Sequence, residues 1–250
     1  MPRPNASASR AGPVRRLGAH RGCVLWWVDL KHAYSASANQ CLSAEEWALV
    51  RRKPAAVRSK TMTAYVARRH ILSKATGVAP AALRFGYNAQ GKKHLLGAPE
   101  LEFNQSYSAG GLLLAVSHQG QVGVDWERAP QASTLSYEAL LALAQQFFNA
   151  VERAHLAQCA VAERWRLFGK IWVLKESVIK ALGLGFAMDL AQVALPLNML
   201  VHQGRRVEGV VSVGTGPLAD TVWRLSYAQV GDWQVALCTP EVSRRTIVAV

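Results

Sequence analysis

Three carboxylates and two lysines stand at spacings that suit metal-assisted phosphoryl chemistry. Asp125 and Glu127 are two apart in Val122-Gly-Val-Asp-Trp-Glu127, an apolar run that predicts a strand, so both carboxylates project from one face. Downstream, the run from Phe168 to Lys180 predicts a helix on which Trp172, Glu176 and Lys180, spaced by four, stack along one side. If strand and helix pack together, Asp125, Glu127 and Glu176 converge on one hard cation, and an oxygen-only donor set suits Mg²⁺ bound to a substrate phosphate. Taken singly, a D-x-E strand more often faces water, and Glu176 with Lys180 is an ordinary surface pair. Phe168, Ile171, Trp172 and Ile179, however, predict a largely buried helix. Buried charges need partners, and a metal with a diphosphate supplies them. Lys175 lies off the strict four-residue line, one turn from Trp172.

The elements that must position these groups are legible as alternating signals. Val24 to Val28 predicts a strand, and Ser43 with Glu46 reads as a capping box opening a helix. A longer helix is expected from about Val57 to Ala75, closed by Gly77 and Pro80. Strands are expected at Leu83 to Tyr87, Leu112 to Ser117 and Gln121 to Trp126. Helices then cover Ser136 to Phe148, Ala150 to Cys159 and Val161 to Leu182, the last ending at Gly183. Gln192 to Leu195, Val207 to Val213, Val222 to Gln229 and Trp233 to Cys238 read as strands. Strand, helices and strands thus occur twice, with no repeat visible residue by residue. The expected division is a disordered basic leader over 1–22, an N-terminal half over 23–120 and a C-terminal half over 121–250 that carries the metal-site motifs.

With 250 residues, half of them hydrophobic, the chain can bury a core. Its formal net charge of +13 calls for an acidic partner, whether nucleic acid, anionic membrane, phosphate-rich cofactor or acidic protein. The excess concentrates between Arg51 and Lys74, where eight cations stand without one acid; a solvated helix face is the plain reading of that run. Cys23, Cys41, Cys159 and Cys238 are scattered, so neither a zinc site nor a disulfide framework is indicated, and a cytoplasmic protein is expected. No window approaches the ~20 apolar residues of a membrane helix, so no membrane partner is expected. Trp26, Trp27, Trp223 and Trp233 sit in strand-like apolar runs, which favours core packing over base stacking.

In its motifs the chain resembles a 4′-phosphopantetheinyl transferase of the surfactin-synthetase type. That family carries Gly-hydrophobic-Asp-hydrophobic-Glu followed by Trp-x-x-Lys-Glu-Ala/Ser-x-x-Lys, matched in order by Gly123 to Glu127 and Trp172 to Lys180. Phe85 to Lys92 is similar to its run ending in Gly-Lys-Pro, Phe103 to Ser108 to its Phe-Asn-x-Ser-His-Ser, and Phe148 to Glu152 to its Phe-Ser-x-x-Glu. The resemblance implies an α+β fold of two similar α/β halves related by a pseudo-twofold axis, with the active site at their junction. It implies transfer of 4′-phosphopantetheine from coenzyme A to a serine of an acyl or peptidyl carrier protein by a Mg²⁺-dependent, monomeric enzyme, with release of 3′,5′-ADP. Asp125, Glu127 and Glu176 would hold the metal, Glu176 would act as general base, Lys180 would stabilise the departing phosphate, and Lys175 would assist electrostatically. Lys60, Arg69, Lys92, Ser106, Tyr107, Asp125 and Lys180 are the expected coenzyme A contacts. The chain departs from the family at Tyr107, which replaces a histidine, and at Lys93, which replaces a proline.

Two other readings are open to the sequence. A basic nucleic-acid-binding protein with an incidental acidic cluster would account for the charge, but no helix-turn-helix, ribonucleoprotein or zinc-finger signature supports it, and no nucleic-acid partner is expected. A catalytically lapsed homologue that only binds carrier domains would account for Tyr107, but the intact carboxylates oppose it.

Overall fold

A computed structural model describes residues 13–185, 188–212 and 221–241. The chain begins with an antiparallel pair, β1 (Val14–His20) and β2 (Cys23–Asp29), then a short helix α1 (Ala36–Asn39), α2 (Ala44–Arg52) and the long α3 (Ala55–Thr76). A small hairpin, β3 (Phe85–Tyr87) and β4 (Lys93–Leu95), precedes β5 (Glu102–Ser108) and β6 (Gly111–Ser117). The second half starts with β7 (Gly123–Arg128) and continues through α4 (Tyr137–Phe147), α5 (Ala150–Gln158), the long α6 (Arg164–Leu182), α7 (Leu197–Val201), β8 (Arg206–Ser212), β9 (Val222–Val230) and β10 (Trp233–Pro240). The result is a mixed α+β fold with two four-stranded antiparallel sheets ordered β1-β2-β6-β5 and β7-β10-β9-β8.

The two halves repeat the same construction. In each, the last strand, β6 or β10, inserts between the strand that leads into the helices, β2 or β7, and the strand before it, β5 or β9. In each, a short helix opens with a complete capping box, Ser43 with Glu46 on α2 and Asn149 with Glu152 on α5. The buried glutamate of that box then reaches a cation on the following long helix: Glu46 accepts from Arg69, and Glu152 pairs with Lys175 at 2.8 Å. Glu46 precedes Arg69 by 23 residues, and Glu152 precedes Lys175 by the same interval. Each long helix ends at a left-handed glycine, Gly77 or Gly183, a conformation that costs glycine no steric penalty. Types changed between the copies, serine to asparagine and arginine to lysine, which is why the repeat escapes a reading by residue identity.

Three apolar clusters hold this together. One lies under α3 and includes Ile71, Leu72, Phe103 and Leu112; one surrounds α6 and includes Ile171, Leu174, Val178 and Trp223. The third joins the two sheets through Leu113, Val124, Trp126 and Leu237, where Trp126 meets Trp27 edge-on and stacks on Trp233 with centroids 4.5 and 4.3 Å apart. The tryptophans named from the sequence are therefore packing residues. Among the described residues, no helix is long and apolar enough to cross a membrane, and the four cysteines are free.

Two expectations about elements need correction. Residues 14–20, assigned to a disordered leader, form β1, because Val14 to His20 pairs along β2 and hydrogen bonds to a neighbouring backbone do not require an apolar sequence; residues 1–12 lie outside the described residues. Gln192 to Leu195 is not a strand: a 3-10 turn over Leu190–Gln192 runs into an extended stretch whose Val193 carbonyl accepts from Lys175, so a side chain satisfies what a partner strand would have.

Candidate active site

β7 and α6 meet at a glycine. A Cβ on Gly123 would stand 1.9 Å from the Ser177 carbonyl oxygen and 2.3 Å from the Ala181 nitrogen, so only a residue without a side chain lets the helix lie on the strand there. That approach brings Lys180 onto β7, where its Nζ donates to Asp125 Oδ1 at 2.5 Å. Strand alternation sends Val124 and Trp126 into the core between the sheets and leaves Asp125 and Glu127 on the side of α6.

β5 supplies the second wall through side chains at matching period. Asn104 Oδ1 accepts from the Val124 amide at 2.9 Å, Ser106 Oγ donates to Asp125 Oδ1 at 2.7 Å, and Ser108 Oγ donates to Glu127 Oε2 at 2.5 Å. Trp126 Nε1 donates to the Ser106 carbonyl at 3.1 Å. The N-terminal half therefore holds both β7 carboxylates in place. Asn104 and Ser108 lie in the Phe103 to Ser108 run matched by motif but have no assigned role there, although Asn104-x-Ser106-x-Ser108 has the same two-residue period as Asp125-x-Glu127.

The electrostatics are those of a crowded anionic site. Burial raises the Glu176 carboxyl above the usual range, with Asp125 and Glu127 adding to the rise and Lys180 opposing it. Burial also raises Glu127, against the hydrogen bond from Ser108. Asp125 is 2% exposed, and its Oδ2 has no hydrogen-bond partner among the described residues. A buried carboxylate oxygen left without a donor is costly, and a hard cation would satisfy it. The three carboxylates are neighbours, yet among the described residues no three carboxylate, imidazole or thiol groups are gathered closely enough to enclose an ion. Lys180 and Ser106 occupy Asp125 Oδ1, and Ser108 occupies Glu127 Oε2. The donor chemistry still suits Mg²⁺, which is commonly bound through one or two carboxylates and completed by water and substrate phosphate.

Two of the cavities that border this site share a wall. One, of about 400 Å³, is lined by Gly91, Asn104, Glu176, Ile179, Lys180 and Gly183 among others; the second, of about 520 Å³, lies along α3 between Lys53, Lys60, Arg68, Tyr107 and Ser108. Tyr87, Lys93 and Gln105 belong to the walls of both.

Several sequence-predicted contacts go elsewhere. Lys175 is fully buried on the opposite side of α6, paired with Glu152 and donating to the carbonyls of Leu190 and Val193 at 2.7 and 2.9 Å, so it holds the C-terminal half together and does not reach the carboxylates. Arg69 is equally committed, to Glu46 at 2.7 Å and to the carbonyls of Pro80 and Leu83. Lys92 lines the first cavity, but its Nζ donates to the carbonyls of Val122 and Ala181 at 3.3 and 2.9 Å and thereby fastens the β3–β4 hairpin to the second half. Ser106 faces Asp125 and lines neither cavity. Lys60 and Tyr107 do reach a cavity, the one along α3. The basic run consequently divides: Arg51, Arg52, Lys53, Arg58 and Lys60 are exposed, whereas Arg68 and Arg69 are buried around Glu46.

Comparison with known proteins points the same way. The family described as "ACPS: 4′-phosphopantetheinyl transferase superfamily" matches residues 121–238, which contain β7 and α6. The chain is 30% identical over 159 residues to the 4′-phosphopantetheinyl transferase AcpT of Salmonella typhimurium, covering 62% of this chain and 76% of that one. It is 32% identical over 186 residues to the L-aminoadipate-semialdehyde dehydrogenase-phosphopantetheinyl transferase of Eremothecium gossypii, covering 74% and 65%. With a 4′-phosphopantetheinyl transferase of Bacillus subtilis it shares 28% over 126 residues, 50% of this chain and little more than half, 53%, of that relative's length.

Proposed function

This chain belongs to the 4′-phosphopantetheinyl transferase superfamily, and we propose that it moves 4′-phosphopantetheine from coenzyme A to a serine hydroxyl of an acyl or peptidyl carrier protein, releasing 3′,5′-ADP. Within the superfamily we place it with the surfactin-synthetase type. The observation that carries this reading is the junction itself: Glu176 and Lys180 from one half, with Asn104 and Gln105 from the other, line one cavity beside a buried carboxylate oxygen that lacks a donor. A single chain builds that cavity from its own two halves, which supports a monomer. Free cysteines support a cytoplasmic setting.

The chemistry asks mainly for positioning and charge neutralisation, because the serine oxygen attacks the β-phosphorus in line while the bond to the bridging oxygen breaks. Glu176, in the cavity wall one helical turn from Lys180, is the general base that takes the serine proton. Lys180 leaves Asp125 to donate to the phosphate of the departing 3′,5′-ADP. Ser106 and Ser108 keep Asp125 and Glu127 oriented. Asp125, Glu127 and Glu176 would hold Mg²⁺, which when bound supplies charge neutralisation on the diphosphate. The exposed cations of α2 and α3 would steer an acidic carrier to the site.

The test is intact-mass analysis of apo carrier proteins incubated with this protein, coenzyme A and Mg²⁺. A gain of about 340 Da, the increment of this transfer, abolished by a chelator and by Glu176→Gln, is the expected result. No gain on any fatty-acid, polyketide or peptide carrier would overturn the reading.

A further inference from the structure

Among the described residues, Lys93 is a cation without an anion of its own. Its Nζ lies 5.0 Å from the ring centroid of Phe85, 4.9 Å from that of Tyr87 and 5.9 Å from that of Tyr65. Among the described residues it makes no hydrogen bond or salt bridge, although its neighbours in sequence and space are paired: Lys92 to two carbonyls, Arg68 and Arg69 to Glu46. It also stands where the two cavities meet, in the wall of both. The cavity holding Glu176 and Lys180 must take the reacting diphosphate. The cavity along α3 adds the exposed ammonium groups of Lys53 and Lys60 and the neutral hydroxyl of Tyr107.

From this arrangement, and resting on the transferase reading above, we infer that Lys93 is the phosphate anchor of this chain: it binds the phosphomonoester of coenzyme A remote from the reacting diphosphate and sets specificity for the 3′-phosphorylated co-substrate. A ring-caged, half-buried ammonium pays little to change partner, because it has already left bulk water and holds no carboxylate that a phosphate must displace. Tyr107 shares that cavity wall without a charge, so the cation required for a dianion comes from β4 and not from β5.

A second consequence is protonic. Burial, then the charge of Arg68, lower the Lys93 ammonium to about 8, with Arg69 adding to the effect and Glu46 opposing it. The groups around it are Arg68, Arg69 and Tyr65 on α3, Glu46 on α2, Tyr87 on β3 and Tyr107 on β5. A bound phosphate dianion favours the charged form, so binding at pH 8 takes up protons and affinity falls as pH rises further.

The experiment is titration calorimetry on the full chain and its Lys93→Gln and Lys93→Arg variants, with coenzyme A and with coenzyme A lacking the 3′-phosphate, at pH 8 in two buffers of different ionisation enthalpy. Lys93→Gln is expected to weaken coenzyme A about tenfold, the scale of one charge-assisted contact, to leave the dephosphorylated ligand within about twofold, and to abolish proton uptake; Lys93→Arg should retain coenzyme A binding. Equal losses on both ligands, or none on either, would overturn the assignment of Lys93 while leaving the transferase reading intact. If the unmodified chain binds neither ligand, the transferase reading fails and this inference fails with it.

Discussion

In the N-terminal half, the lysine three residues before the helix-ending glycine, Lys74, lies over the ring of Trp26 at 5.7 Å; in the C-terminal half its counterpart, Lys180, lies on the carboxylate of Asp125. The scaffold around the two lysines is the same: a strand that leads into the helices, a capping-box glutamate buried against a cation of the long helix, and a left-handed glycine at that helix's end. One turn earlier, α3 carries His70, stacked against Tyr34, and α6 carries Glu176 with its raised carboxyl. Repetition therefore explains stability and asymmetry explains chemistry. The same helix face that packs aromatics in one half assembles mutually repelling carboxylates in the other, and only the latter gains from an added cation.

The sharpest break in this comparison is at the two helix positions. Glu176→Gln should lower transfer by on the order of a hundred- to ten-thousandfold, the range of a lost general base, whereas His70→Gln should leave turnover within about twofold; carrier mass gain over time checks both. The shared scaffold should respond alike in both halves. Glu152→Gln strands buried Lys175 and Glu46→Gln strands buried Arg68 and Arg69; each should cost at least about 3–5 kcal/mol in denaturant unfolding, with loss of activity only as the fold is lost. Gly123→Ala tests the close strand–helix approach where β7 meets α6. It should destabilise by about 1–3 kcal/mol and depress transfer as well, because Glu176 and Lys180 ride on the displaced helix.

A pH profile sharpens the same contrast. Glu176 and Glu127 have folded-state pKa values raised by burial, so the native state binds more protons than the unfolded chain just above the usual carboxylate range. In the metal-free protein the stability contributed by these groups therefore declines as pH rises through that window. Denaturant unfolding with chelator across that range should show the decline, and Glu176→Gln should lessen it. The smallest effect is expected at Lys74→Met, which removes a cation–π contact of about 0.5–1 kcal/mol and leaves transfer unchanged.

Much of the site was legible before the fold because its key residues obey local periods. Asp125 and Glu127 share a face by the two-residue alternation of a strand, and Glu176 and Lys180 by the four-residue repeat of a helix; the capping box at Ser43 and the glycine stop at Gly183 are equally local. Lys175 marks where this reading ran out. It adjoins Glu176 in sequence, but one residue is about 100° of helix rotation, enough to carry it from the carboxylates to Glu152. Arg69 and Lys92 are cations by type, but which anion or carbonyl each meets depends on segments far away in sequence.

Sequence by itself determined the chemical inventory, the elements that display it and their order, since composition, helix and strand periods and caps act over a few residues. Tertiary structure alone decided which charges are spent on the fold and which remain for a substrate. Burial and pairing across Glu46, Glu152 and the carbonyls near Gly183 consumed Arg69, Lys175 and Lys92, and left Lys93 and Lys180 facing the cavities. The physical reason is that desolvation and Coulomb energy depend on distances in space, which the residue order does not contain.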